Sequence, residues 1–83
     1  MITLMWKHSK DIYSANSPEE LVATMRRNSP SLPQPQQDSN AEYMKGVARR
    51  VEIYDGVQLI YSNEKSFLEA LVQSDQITMM GVV

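Results

Sequence analysis

The sequence predicts a small α+β domain: a three- or four-stranded sheet with three helices, in the order β-β-α, Pro-rich loop, α-β-α-β. Three observations predict it. Helix-start signatures occur at Ser17-Pro18-Glu19-Glu20 and Ser39-Asn40-Ala41-Glu42, and three prolines crowd positions 30–35. The chain also opens and closes on short segments rich in β-formers. Its 83 residues make one domain, 1–83, of a size that leaves little surplus burial over the entropy cost of folding.

Ile2–Lys7 and Asp11–Ala15 read as two strands joined by a polar turn at His8-Ser9-Lys10. Ser17 is then the N-cap of a first helix over about 18–28. Its hydroxyl is placed to accept from the Glu20 N–H while the Glu20 carboxylate reaches back to the N–H of Ser17. Pro18 sits where a missing N–H costs nothing, and both glutamates face the positive end of the helix dipole. Leu21, Val22 and Met25 supply the inward stripe, and Arg26 and Arg27 fall at the C-terminal end, where cations are favoured. Residues 29–38 (SPSLPQPQQD) contain Pro30, Pro33 and Pro35 and read as an exposed, mobile loop.

A second helix starts at Ser39. Met44, Val47, Ala48, Val51 and Tyr54 recur at helical spacing, with Lys45, Arg49 and Glu52 on the opposite face. Two readings compete for 51–61. Asp55-Gly56 is either a helix end, with glycine in the left-handed position, or the type I′ turn of a hairpin. The helix is preferred, because stopping at Ala48 would leave barely two turns. Val57–Tyr61 then reads as a strand. Ser62 or Asn63 caps a third helix with Phe67, Leu68, Leu71 and Val72 inward, and Ile77–Val82 is a final strand.

Composition excludes several functions. The chain has no cysteine, so disulfides, thiolate zinc sites and thiol nucleophiles are ruled out, and a reducing cytoplasm is the expected setting. The start MITLMWKH lacks the layout of a signal peptide, and no apolar run approaches the ~20 residues of a membrane span. A net charge of −2 argues against a general nucleic-acid binder and leaves room for a local patch.

The motifs Ser17-Pro18-Glu19-Glu20-Leu21-Val22, Glu42-Tyr43-Met44-Lys45-Gly46-Val47-Ala48-Arg49-Arg50-Val51 and Phe67-Leu68-Glu69-Ala70-Leu71 resemble those of a group of small bacterial and phage-associated proteins. The resemblance spans most of the chain. It implies an α+β fold, names no activity and carries over no catalytic or binding residue.

No catalytic set emerges. His8 is the sole histidine and falls in a polar turn, and the Glu19-Glu20 pair is accounted for by helix capping. No cofactor motif, glycine-rich phosphate loop or metal-ligand spacing is present. The expectation is a non-enzymatic accessory or protein-interaction module, with Trp6, Tyr13 and Met79 as candidate protein contacts. The alternative is a nucleic-acid-binding accessory using Arg26, Arg27, Lys45, Arg49 and Arg50, if these converge; the plainer reading of the five is a solvated helix face. The proline cluster fits a polyproline II ligand in outline, though a plain loop is preferred. The segment Ile77–Val83 has no charged side chain. It either lies inside its own sheet, giving a monomer, or pairs with a second chain as a weak homodimer.

Overall fold

The computed structural model describes residues 1–28 and 39–82. The elements are β1 (Ile2–Trp6), β2 (Ile12–Ala15), α1 (Pro18–Arg27), α2 (Asn40–Asp55), α3 (Glu64–Gln73) and β3 (Ile77–Val82). The fold class is the expected α+β arrangement, with three helices and an antiparallel sheet ordered β2-β1-β3 among the described residues. The Pro-rich segment 29–38 lies outside the described residues.

Strand alternation splits the sheet into two unlike faces. Ile2, Leu4 and Trp6 of β1 align with Ala15 and Tyr13 of β2 and with Met79 and Ile77 of β3, and all of them join the core. The other face presents Thr3, Met5, Ile12, Ser14, Thr78 and Met80. There the Thr3 and Ser14 hydroxyls bond each other at 2.9 Å, and no helix covers this face among the described residues. All three helices pack on the first face. Leu21, Val22 and Met25 come from α1, Met44, Val47 and Val51 from α2, and Phe67, Leu68 and Leu71 from α3.

The helix starts follow the sequence closely. Ser17 Oγ accepts from the Glu20 N–H at 3.2 Å, and Ser39 Oγ accepts from the Glu42 N–H at 3.2 Å. The return contact in α1 differs by one residue from expectation. Glu20 accepts from the Asn16 N–H at 3.4 Å, so its carboxylate satisfies the residue before the cap. The cap of α3 is Asn63, and here the box is reciprocal through Ser66. Asn63 Oδ1 accepts from the Ser66 N–H at 2.8 Å, and Ser66 Oγ accepts from the Asn63 N–H at 3.0 Å.

Three further expectations are corrected. Tyr54 and Val72, both expected inward, are 80% and 40% exposed. Val51 and Leu71 take the inward positions on these helices, and Tyr54 and Val72 fall outside the buried stripe. Val57–Tyr61 is not a strand. Its burial does alternate, with Leu59 buried and Gln58 and Ile60 exposed, but the segment joins two helices within the helical layer. Tyr61 sets its ring edge-on to Phe67 of α3, 5.2 Å between centroids. Both edges of β1 are already occupied by β2 and β3.

Asn40, the first residue of α2, clips the three helices together. Its amide donates to the Glu19 carbonyl of α1 at 3.0 Å and to the Glu64 carboxylate of α3 at 3.1 Å. Its oxygen accepts from Arg26 Nε at 3.2 Å.

Candidate functional site

The sheet and α2 diverge at the hairpin end of the molecule and leave an open groove of about 570 Å³. One wall is the β1–β2 hairpin, contributing Trp6, His8, Ser9, Asp11 and Tyr13. The hairpin holds its shape through main-chain bonds from Trp6 N–H to the Asp11 carbonyl (2.9 Å) and from Lys10 N–H to the Trp6 carbonyl (2.8 Å). Lys10 itself takes the left-handed conformation, φ 66°, which tightens the turn. The opposite wall is one stripe of α2: Tyr43, Val47, Arg50, Val51 and Tyr54, spaced by three or four residues. Asp55 and Gln76 close the base, where the Gln76 amide donates to the Asp55 carboxylate at 2.6 Å.

Four of the chain's six aromatic residues, Trp6, Tyr13, Tyr43 and Tyr54, line this groove. Their settings differ. The Trp6 indole N–H donates to Met25 Sδ at 3.2 Å, which fixes the ring against α1. Tyr43 is buried, whereas Tyr54 stands free at the rim. Desolvation, then the neighbouring Asp11 carboxylate, raises the Tyr13 hydroxyl above the ordinary tyrosine range. The groove thus combines flat apolar area with hydroxyls, two carboxylates and a guanidinium, a composition suited to binding.

Of the expected protein contacts, Trp6 and Tyr13 meet in this groove. Met79 does not line it; it packs half-buried on the core side of β3. The basic residues fall into separate settings. Arg26 bonds Asn40 at the start of α2, with Arg27 beside it in sequence. Lys45 and Arg49 are exposed one turn apart on α2, and Arg50 lines the groove. Ten helical residues separate Asn40 from Arg50, about 15 Å along the axis. His8 is exposed in the hairpin turn at the groove's edge.

Tyr43 and Tyr54 are the groove aromatics that sequence reasoning missed as contacts, and Asp11, Asp55 and Gln76 went unassigned with them. The i, i+4, i+7, i+11 spacing of the two tyrosines with Val47 and Arg50 was visible, but which stripe of α2 borders a cleft depends on how the helix meets the hairpin. Among the described residues, no group of three or more His, Asp or Glu side chains is placed to hold a metal ion, and no helix is long and apolar enough to cross a membrane. No protein-family model, curated protein or solved structure matches the chain.

Proposed function

We propose that the protein is a non-enzymatic interaction module that receives a short segment of a partner protein in the aromatic groove. The observation that carries this reading is the gathering of Trp6, Tyr13, Tyr43 and Tyr54 around one open cleft. Tryptophan and tyrosine give large contact area for little lost rotamer freedom, and they dominate the energetics of protein interfaces. An apolar side chain of the partner fits between the rings. Its flanking polar groups meet the hydroxyls of Tyr13 and Tyr54, Arg50 and the carboxylates of Asp11 and Asp55. A cysteine-free chain suits a reducing compartment, and the cytoplasm is the proposed setting.

Tyr54→Ala tests the reading cleanly, because the residue is 80% exposed and its removal leaves the core untouched. Affinity capture from the native host is expected to retain a specific partner on the wild-type chain and on Arg49→Ala, and to lose it on Tyr54→Ala. Equal retention by Tyr54→Ala would refute the groove. Turnover of a metabolite by the purified protein, lost on a point substitution, would refute the non-enzymatic reading.

A further inference from the structure

We infer that the segment seated in the aromatic groove carries an arginine, whose guanidinium stacks against the Trp6 and Tyr13 rings and bonds the Asp11 carboxylate; this rests on the groove being the place where the partner docks. The strand register brings these three residues together. Leu4 pairs with Tyr13 and Met5 with Ile12, and the bond from Trp6 N–H to the Asp11 carbonyl continues the ladder toward the turn. Trp6 therefore stands opposite Asp11, and Tyr13 follows two residues on. Alternation turns the three side chains to one face of the hairpin, and all three line the groove.

Asp11 is exposed, and its carboxylate accepts no hydrogen bond and forms no ion pair among the described residues. Only its main-chain groups are engaged, with Ser9 and Trp6. The charge still reaches the ring beside it: after desolvation, it is the second cause that holds the Tyr13 hydroxyl above the ordinary tyrosine range. A neutral side chain laid over this carboxylate strips its water and returns nothing, which costs affinity. A cation returns an ion pair, and the aromatic faces on either side add their own attraction. Arginine suits both. Its planar guanidinium lies flat on a ring while its edge presents paired donors to a carboxylate. Trp6 is held ready for such stacking, its indole N–H bonded to Met25 Sδ at 3.2 Å.

The other charges of the groove agree with this placement. Asp55 lies at the base, so two carboxylates face one guanidinium, that of Arg50, in the lining. The Asp55 carboxylate already accepts from the Gln76 amide at 2.6 Å, whereas that of Asp11 is open. Arg50 stands on α2, across the groove from the hairpin wall, and is engaged within the chain. Like-charge repulsion keeps a second cation off the helix side. The arginine therefore takes the hairpin wall, and the apolar side chain of the same segment takes the α2 side, against Val47, Val51 and Tyr54.

Amide-shift titration of the labelled full chain with two blocked pentapeptides tests it. One carries a leucine and an arginine among alanines. The other replaces the arginine with citrulline, which keeps the planar shape and loses the charge. Shifts at Trp6, Asp11 and Tyr13 should saturate with at least about fivefold less of the arginine peptide. Asp11→Asn should erase that preference. The variant should fold as the wild type does, because the main-chain carbonyl that accepts from Trp6 is unchanged. Glu52→Gln removes an exposed acid of α2 that lies outside the groove lining. It should keep the preference, which separates the site from general attraction to an acidic chain. Equal affinity for the two peptides, a preference that survives Asp11→Asn, or one that Glu52→Gln also erases would overturn the arginine and leave the groove standing. Groove amides that move with neither peptide would overturn both.

Discussion

At the residue scale, polar side chains at the helix starts fix where the chain turns. Asn63 and Ser66 satisfy each other's backbone N–H groups at the head of α3, and this helix follows an irregular connection with no ladder to hold it. Asn63→Ala should therefore lower stability by about 1 kcal/mol, the usual worth of such a cap, measured by denaturant unfolding. An unchanged midpoint would show the cap to be redundant. Tyrosine ionisation gives a second prediction. Burial raises the hydroxyl of Tyr61, and burial with Asp11 raises that of Tyr13. The folded chain therefore keeps both protons at pH values where the unfolded chain has begun to lose them. This contribution is fully present below the ordinary tyrosine value of about 10, and it is lost as pH rises through the folded values. The melting temperature should fall above about pH 10, and Tyr13→Phe with Tyr61→Phe should flatten that fall. The caps Ser17 and Ser39 were legible in the sequence because a cap is a local pattern. The Asn40 clip was not, because its partners Glu19, Arg26 and Glu64 meet it only after the helices have packed.

At the scale of elements, Gly56 decides between two architectures. It sits at φ 67° and its N–H bonds the Glu52 carbonyl, so Asp55-Gly56 ends a 16-residue helix rather than turning a hairpin. A Cβ on Gly56 meets nothing within 4 Å, which leaves backbone strain as the whole penalty. Gly56→Ala should then cost about 1 kcal/mol. Gly81 is equally uncrowded and has no positive φ, so Gly81→Ala should be close to neutral. Paired thermal melts check the contrast, and equal effects at the two positions would contradict it. The neighbouring segment shows where sequence pattern misleads. Val57–Tyr61 alternates in burial as a strand does, since Leu59 points into the core while Gln58 and Ile60 face out. Alternation reports which side chains are buried, however, and says nothing about whether a neighbouring strand is there to pair with.

At the scale of the whole molecule, a one-sided sheet carries three helices, and each exposed feature has a distinct character. The helical face is closed by Leu4, Leu21, Phe67 and Leu71, all fully buried. The hairpin end opens into the aromatic groove, and the far side of the sheet presents Ile12 and Met80 to solvent. The fold was legible because capping boxes, proline placement and strand alternation are written locally. Half of the groove was legible as well, since Trp6 and Tyr13 stand out on the hairpin as candidate anchors. The other half, Tyr43 and Tyr54, belongs to a helix whose sides acquire meaning only from what each one faces. The groove is proposed to receive a partner's segment. Amide chemical-shift mapping, with the captured partner titrated into the labelled chain, tests this. The largest shifts are expected at Trp6, His8, Asp11, Tyr13, Arg50 and Tyr54. Shifts confined to Lys45, Arg49 and the outer flank of α3, with the groove amides unmoved, would contradict it.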